Sequence, residues 1–156
     1  MRQPVQVAVY CVRGADDGWE YLLMRRIPSG GGIWQCITGG VEGSEDTHAA
    51  ALRELKEETG FEPIRLHVPG YSYNFPVEEE MRKLYSTPVE TITELLFLML
   101  VNGDNDPEID SREHDTWKWC RFDDAVKMLY WSGNRESIKH CEEYLRSDEG
   151  GRWLKM

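Results

Sequence analysis

The sequence predicts an α/β fold in one domain, a mixed β-sheet held between α-helices. Three observations carry this. Short β-branched and aromatic runs recur along the whole chain, three segments of helical periodicity interleave with them, and 156 residues suit one domain whose core needs no staples.

Residues 5–13 are rich in β-branched side chains and apolar on both faces, the pattern of a strand buried on both sides. Asp16, Asp17 and Gly18 make a turn, and residues 20–26 a second strand. Residues 29–32 form a flexible loop, and 34–38 a short extended piece that delivers the chain to Gly39. Asp46 or Thr47 caps a helix whose apolar side is Ala50, Ala51 and Leu55, and Gly60 ends it. A strand is expected at 64–69, and a strand followed by an exposed loop at 71–88. Residues 91–101 give the clearest central strand, followed by an acidic turn at 102–110. In 116–122, Trp117 and Trp119 alternate with Lys118 and Cys120, as in a strand with two unlike faces. Asp123 is expected to cap a short helix running to Tyr130, and Asn134 a last helix with Ile138, Cys141 and Leu145 on its inner stripe. The single domain takes in residues 1–156, with a polar tail from about 147 expected to be mobile.

A net charge of −10 argues against a general nucleic-acid-binding surface, which needs a basic stripe. It leaves room for a small phosphorylated substrate, because local arginines and a bound cation set the field in a cleft. The four cysteines, Cys11, Cys36, Cys120 and Cys141, are scattered without a Cys-x-x-Cys, so reduced thiols in a cytoplasm are expected instead of a disulfide framework or zinc site. No export segment is read at the start, and the longest apolar run, 95–101, is too short to cross a bilayer. Oligomeric state is not legible, and a homodimer is compatible with the sequence.

The most informative segment is 39–61. Glu54, Glu57 and Glu58 stand at i, i+3 and i+4, so three carboxylates project from one helical face, where like charges repel. A solvated acidic face is one reading. A divalent cation with hard oxygen ligands is the other, Mg²⁺ first where phosphates share the coordination sphere and Mn²⁺ as the alternative ion.

The rest of the segment resembles the Nudix box, G-x5-E-x7-R-E-U-x-E-E-x-G-U with U a bulky aliphatic residue. Gly39, Glu45, Arg53, Glu54, Leu55, Glu57, Glu58 and Gly60 fall in register, and Phe61 takes the final aliphatic position. The resemblance implies a mixed sheet between helices and metal-dependent hydrolysis of a phosphoanhydride. It implies Glu57 and Glu58 as principal metal ligands, and Glu54 as a ligand or as the base that activates water. Gly39, Glu45, Arg53 and Gly60 become structural members of the motif, Arg53 pairing with Glu45 or a neighbour to hold the loop–helix–loop rigid. Glu42 and Glu45 are either indirect supports of the metal or solvated loop acids.

Outside the box, Glu113 precedes the Trp117 strand, where the resemblance implies a further acid that completes the metal site or acts as general base. A solvated loop acid is the plainer alternative, and a hydrogen-bonded structural role is the plainer one for His114. Arg25 and Arg26 end the second strand; one is expected to reach a substrate phosphate and its neighbour to face away. Trp34, Tyr73, Phe75 and Trp131 are candidates for stacking on a base or pterin ring, with the core as their plainer place. Residues 33–42 and the pairs Glu113–His114 and Asn134–Arg135 are similar to the branch of the family that acts on nucleoside triphosphates and dihydroneopterin triphosphate. The expected products are pyrophosphate and a monophosphate. The alternatives are a dinucleoside polyphosphate or nucleotide-sugar hydrolase, and a catalytically idle nucleotide sensor.

Overall fold

A computed structural model describes residues 2–85 and 88–155. Its elements run β1 (Arg2–Ala15), β2 (Gly18–Arg26), β3 (Trp34–Gln35), β4 (Ile37–Glu42), α1 (Thr47–Thr59), β5 (Arg65–His67), β6 (Ser72–Pro76), β7 (Thr91–Leu100), β8 (His114–Cys120), α2 (Phe122–Met128), α3 (Ser132–Arg146) and α4 (Asp148–Lys155). The strands make one mixed sheet. β1 runs parallel to β7, and its other edge is shared between β2 and β4, both antiparallel. β5 and β6 likewise share the outer edge of β7, and β8 pairs with β2.

Alternation along β1 divides the core. Ala8, Tyr10 and Val12 face Ile138, Cys141 and Leu145 of α3, whereas Val7, Val9 and Cys11 face Ala50, Ala51 and Leu55 of α1. Residues 7–12 are fully buried, as a strand covered on both faces must be. All four cysteines are buried free thiols. Among the described residues no helix is long and apolar enough to cross a membrane.

Several local expectations are corrected. α2 is preceded by Arg121 as N-cap, and Asp123 lies within its first turn, where its charge meets the positive end of the helix without capping it. α3 starts at Ser132 after Trp131, so Asn134 is inside the first turn, and its carbonyl accepts from the Tyr10 hydroxyl at 2.8 Å. The expected strand at 64–69 is ordered as a strand only over Arg65–His67. Within 71–88, β6 is followed by a 3₁₀ helix over Glu79–Leu84, and residues 86 and 87 lie outside the described residues.

The expected mobile tail is instead helix α4. Trp153 and Leu154 pack on the core, and His67 lies between Tyr144, stacked at 3.5 Å, and the edge of Trp153. Gly150 makes the docking feasible: a β-carbon there would stand 1.8 Å from the Tyr144 carbonyl oxygen. A glycine that resembles a helix breaker in sequence is a close-approach point in three dimensions.

Candidate active site

α1 is set rigidly against β4. The Asp46 side chain accepts from the Ala49 amide at 2.7 Å, and Gly60 ends the helix in the left-handed region at φ 77°. Gly39 faces Glu54 so closely that a β-carbon would lie 2.1 Å from the carboxyl carbon. Glycine is therefore required by close approach of the helix's acid to the strand.

Arg53 binds this arrangement together. Its Nε and Nη2 meet the two carboxylate oxygens of Glu45 at 2.8 and 2.9 Å, Nη2 also reaches the Gly40 carbonyl at 2.9 Å, and Nη1 meets Glu54 at 2.8 Å. The same Glu45 accepts from the Glu42 amide at 3.1 Å. Loop, strand and helix are thus joined by one planar guanidinium, whose fork suits a carboxylate's two oxygens. Glu45 is fully engaged in this brace.

The second half of the site comes from the start of β8. The turn before it is held by Asp110, whose carbonyl accepts from the Glu113 and His114 amides at 3.0 and 2.9 Å. The Glu113 carbonyl in turn accepts from Ile27 at 3.0 Å. His114, only 3% exposed, places Nδ1 2.9 Å from Glu58 Oε2. That approach is off the line of a hydrogen bond. Glu58 Oε2 and both ring nitrogens of His114 are buried without a hydrogen-bond partner among the described residues.

The carboxyls perturb one another. Glu54 is pushed up to about 7, chiefly by burial, against the pull of Arg53. Glu113 is also raised to about 7, first by its hydrogen bond with Glu58 and then by burial. Burial alone would raise Glu58, but its contacts with His114 and Glu113 outweigh it and hold that carboxylate below its usual value. The two acids therefore titrate as a pair, and Glu113 is the member pushed toward its neutral form.

Of the residues singled out in sequence, Glu58 and Glu113 come together with His114, and Glu54 is near enough to act electrostatically on Glu113 and to feel Glu58. Glu57 does not join the tight group: its side chain is 54% exposed and leans toward Arg53 at 3.4 Å. Arg25 and Arg26 diverge as neighbours on a strand must. Arg25 pairs with Asp115 at 2.9 Å and lies 5.9 Å above the Trp34 ring. Arg26 packs against Gly30 and acts on Glu113, lowering its pKa. Trp34 is half-buried against the core with its carbonyl bonded to Tyr130, and Trp131 is half exposed. Tyr73 donates its hydroxyl to Glu94 at 2.6 Å. Sequence reasoning weighed His114 without assigning it; its complete burial beside Glu58 follows from the β2–β8 register, which no local pattern encodes.

Glu58, Glu113 and His114 present ligand atoms all within 4.8 Å of one another. Unpaired buried acceptors on Glu58 and His114 are the kind of polar debt that a cation discharges. Two hard carboxylates fit Mg²⁺ or Mn²⁺, and the open, half-exposed Glu57 leaves room for further oxygen ligands beside them.

The chain is similar to several known proteins. An octanoyltransferase from Myxococcus xanthus is 34% identical over 139 residues; that match takes in 86% of this chain, and the chain spans only 36% of that protein's length. An RNA pyrophosphohydrolase from Caulobacter vibrioides is 30% identical over 120 residues, 72% of this chain and 70% of that one. The E. coli dihydroneopterin triphosphate pyrophosphohydrolase superposes with a TM-score of 0.71 at 26% identity, covering 88% of this chain and 94% of that one. The family model described as NUDIX domain matches residues 2–141, and the chain belongs to the Nudix family.

Proposed function

We propose that this chain is a Mg²⁺-dependent hydrolase that cleaves a phosphoanhydride of a nucleoside triphosphate or of dihydroneopterin triphosphate, releasing pyrophosphate and a monophosphate. The convergence of Glu58, Glu113 and His114 beside the buried Glu54 is the observation that carries this reading. Glu54, Glu57 and Glu58 would hold the ion together with Glu113, and Mn²⁺ would fit the same oxygens. The bound ion supplies Lewis-acid stabilisation of phosphoryl oxygens and a water of lowered pKa.

The chain's own groups supply the remainder. Arg53 holds Glu54 at a fixed place under Gly39. Glu113 and Glu54, both titrating near neutral pH, are suited to accept the proton of the attacking water. Arg26, on the Glu113 side of β2, would hold a phosphate oxygen, while Arg25 and Trp34 lie together on the other side.

The test is turnover with Mg²⁺ or Mn²⁺ against EDTA. The panel holds nucleoside triphosphates, dihydroneopterin triphosphate, a dinucleoside tetraphosphate, a nucleotide sugar and a 5′-triphosphorylated RNA. Pyrophosphate from a triphosphate, abolished by EDTA, is the expected result. Two mononucleotides from the dinucleotide alone would move the chain to the dinucleoside polyphosphate hydrolases. Ligand binding without turnover of anything would make it a sensor.

A further inference from the structure

Glu94 and Glu142 are buried carboxylates outside the acid cluster, and Glu94 lies on the opposite face of the sheet from α1. Glu94 is 3% exposed at the middle of β7, level with Gln6 of β1 on one side and Tyr73 of β6 on the other. Gln6 is itself level with Gly40 of β4. Gly40, Gln6, Glu94 and Tyr73 thus form one row across four strands. The row is bonded internally: Gln6 Nε2 donates to Glu94 Oε2 and the Tyr73 hydroxyl to Oε1.

The row has walls. Arg2 lies over Gly40 at one end, where a β-carbon would be 2.8 Å from its Cδ and Nε. At the other, the first turn of α3 comes down on the sheet. A β-carbon on Gly133 would stand 2.5 Å from the Tyr73 hydroxyl, and the next residue, Asn134, carries a buried Oδ1 with no hydrogen-bond partner among the described residues. Ala8, one row along and small, lies between Thr38 and Leu96. Gln6 and Thr38 are only half-buried, whereas Gly40 and Glu94 are buried.

The β4 end of the row adjoins the acids. Gly39 touches Glu54 on one face of β4 and Gly40 meets Gln6's row on the other, and β1 is the strand with which β4 pairs among the described residues. The two glycines thus lie back to back, Gly39 against the acids and Gly40 at the end of the row.

We propose that the Gln6–Glu94–Tyr73 row is the ring-recognition surface, and that it selects a triphosphate whose ring presents adjacent lactam N–H and exocyclic amine donors, as guanine and pterin do. This rests on the hydrolase reading of the acid cluster. The chemistry is that of a carboxylate with spare lone pairs: it can accept about four hydrogen bonds and receives two here. Burying such a group costs stability that an apolar side chain would not, and burial raises its pKa against the pull of Tyr73 and Gln6. Two parallel N–H donors from a ring offset that cost. Adenine presents no N1–H and leaves the carboxylate unmatched. Asn134 Oδ1 is a second acceptor at the α3 end for a donor of the same ring.

The experiment compares kcat/KM for GTP, dihydroneopterin triphosphate, ITP and ATP in the wild type and in Glu94→Gln, and the binding of GMP and AMP in EDTA. The wild type is expected to prefer GTP or the pterin to ATP by roughly 10- to 100-fold, the discrimination a bidentate pair gives. ITP, lacking the amine, should fall between. Glu94→Gln should collapse that ratio, with most of the loss falling on GTP and the pterin. Equal wild-type kcat/KM for GTP and ATP overturns the assignment without any variant, and so does a variant that slows every substrate alike. If no triphosphate is hydrolysed, the hydrolase reading fails by itself. The preference for GMP over AMP in EDTA then still decides the row: its presence supports the assignment and its absence overturns it.

Discussion

Gly39 and Glu54 are in such close contact that no side chain can replace the glycine's hydrogen without moving the acid: the would-be β-carbon lies 2.1 Å from Glu54 Oε1. Gly39→Ala should therefore displace Glu54 by an ångström or more. A misplacement of that size costs about 10²-fold in turnover. The check is kcat alongside a melting curve, since the displaced group is a catalytic candidate and the core beneath β4 is untouched. Normal kcat in a folded Gly39→Ala protein would detach Glu54 from the chemistry.

Arg53→Ala removes both Glu45 contacts, the Gly40 carbonyl contact and the partner of the buried Glu54. The expected loss is about 2–3 kcal/mol, the range for hydrogen bonds to charged groups with one partner left stranded. Arg53→Lys should recover little of it, because an ammonium cannot span two carboxylate oxygens and a carbonyl together. Urea unfolding of the three proteins measures this.

Mg²⁺ should stabilise the wild type. At about 100 times its dissociation constant a ligand bound only by the folded state adds about 2.7 kcal/mol, or roughly 5–10 °C in Tm for a chain of this size. Glu58→Gln should lose most of that shift, because Glu58 Oε2 is the buried acceptor left without a hydrogen bond. Glu57→Gln separates the motif from the geometry. If Glu57 is a principal ligand, its variant loses the shift as fully as Glu58→Gln; retention of the shift would make it a solvated acid beside Arg53.

Glu113→Gln should lower turnover by about 10²-fold or more, the usual contribution of a general base. Its pH–rate profile should also lose the limb near pH 7 that a carboxyl raised to about 7 would give. An unchanged rate and profile would return Glu113 to the solvated loop acids.

His67 sets a pH dependence of stability at the far end of the molecule. Burial lowers its pKa from 6.5, with Glu149 of α4 pulling the other way. The folded state therefore favours the neutral ring. Below 6.5 the unfolded chain binds the proton more readily, so stability falls as pH drops through that value toward the folded pKa. Melting temperature should decline from pH 7 to pH 5, and His67→Phe should flatten the decline. An identical slope in the variant would place the titration elsewhere.

Most of the fold was legible because its signals are local. The doubly apolar β1, the glycine-bounded α1 and the apolar β7 are each written in their own residues. The helix starts at Asp123 and Asn134 were misplaced because a capping residue type says nothing about a backbone already turned helical at Ser132. α4 was missed because it docks on His67, distant in sequence, through a glycine that reads locally as a helix breaker. Within the site, Glu54 and Glu58 stand at the motif's own spacing, whereas Glu113 was expected only from its place in the loop before the Trp117 strand. The burial of His114 was not legible, nor was the Gln6–Glu94–Tyr73 row, because each depends on strand register.

The parallel pairing of β1 with β7 joins Val5 to Thr93, and Glu58 meets residues that follow that strand. Nascent or truncated chains ending before the β8 turn would lack the second set of acid and imidazole groups altogether. Assembly of this cluster thus waits on contacts that are distant in the chain. Because long-range parallel pairing is slow, the cluster's appearance after dilution from denaturant should lag behind the recovery of helical signal.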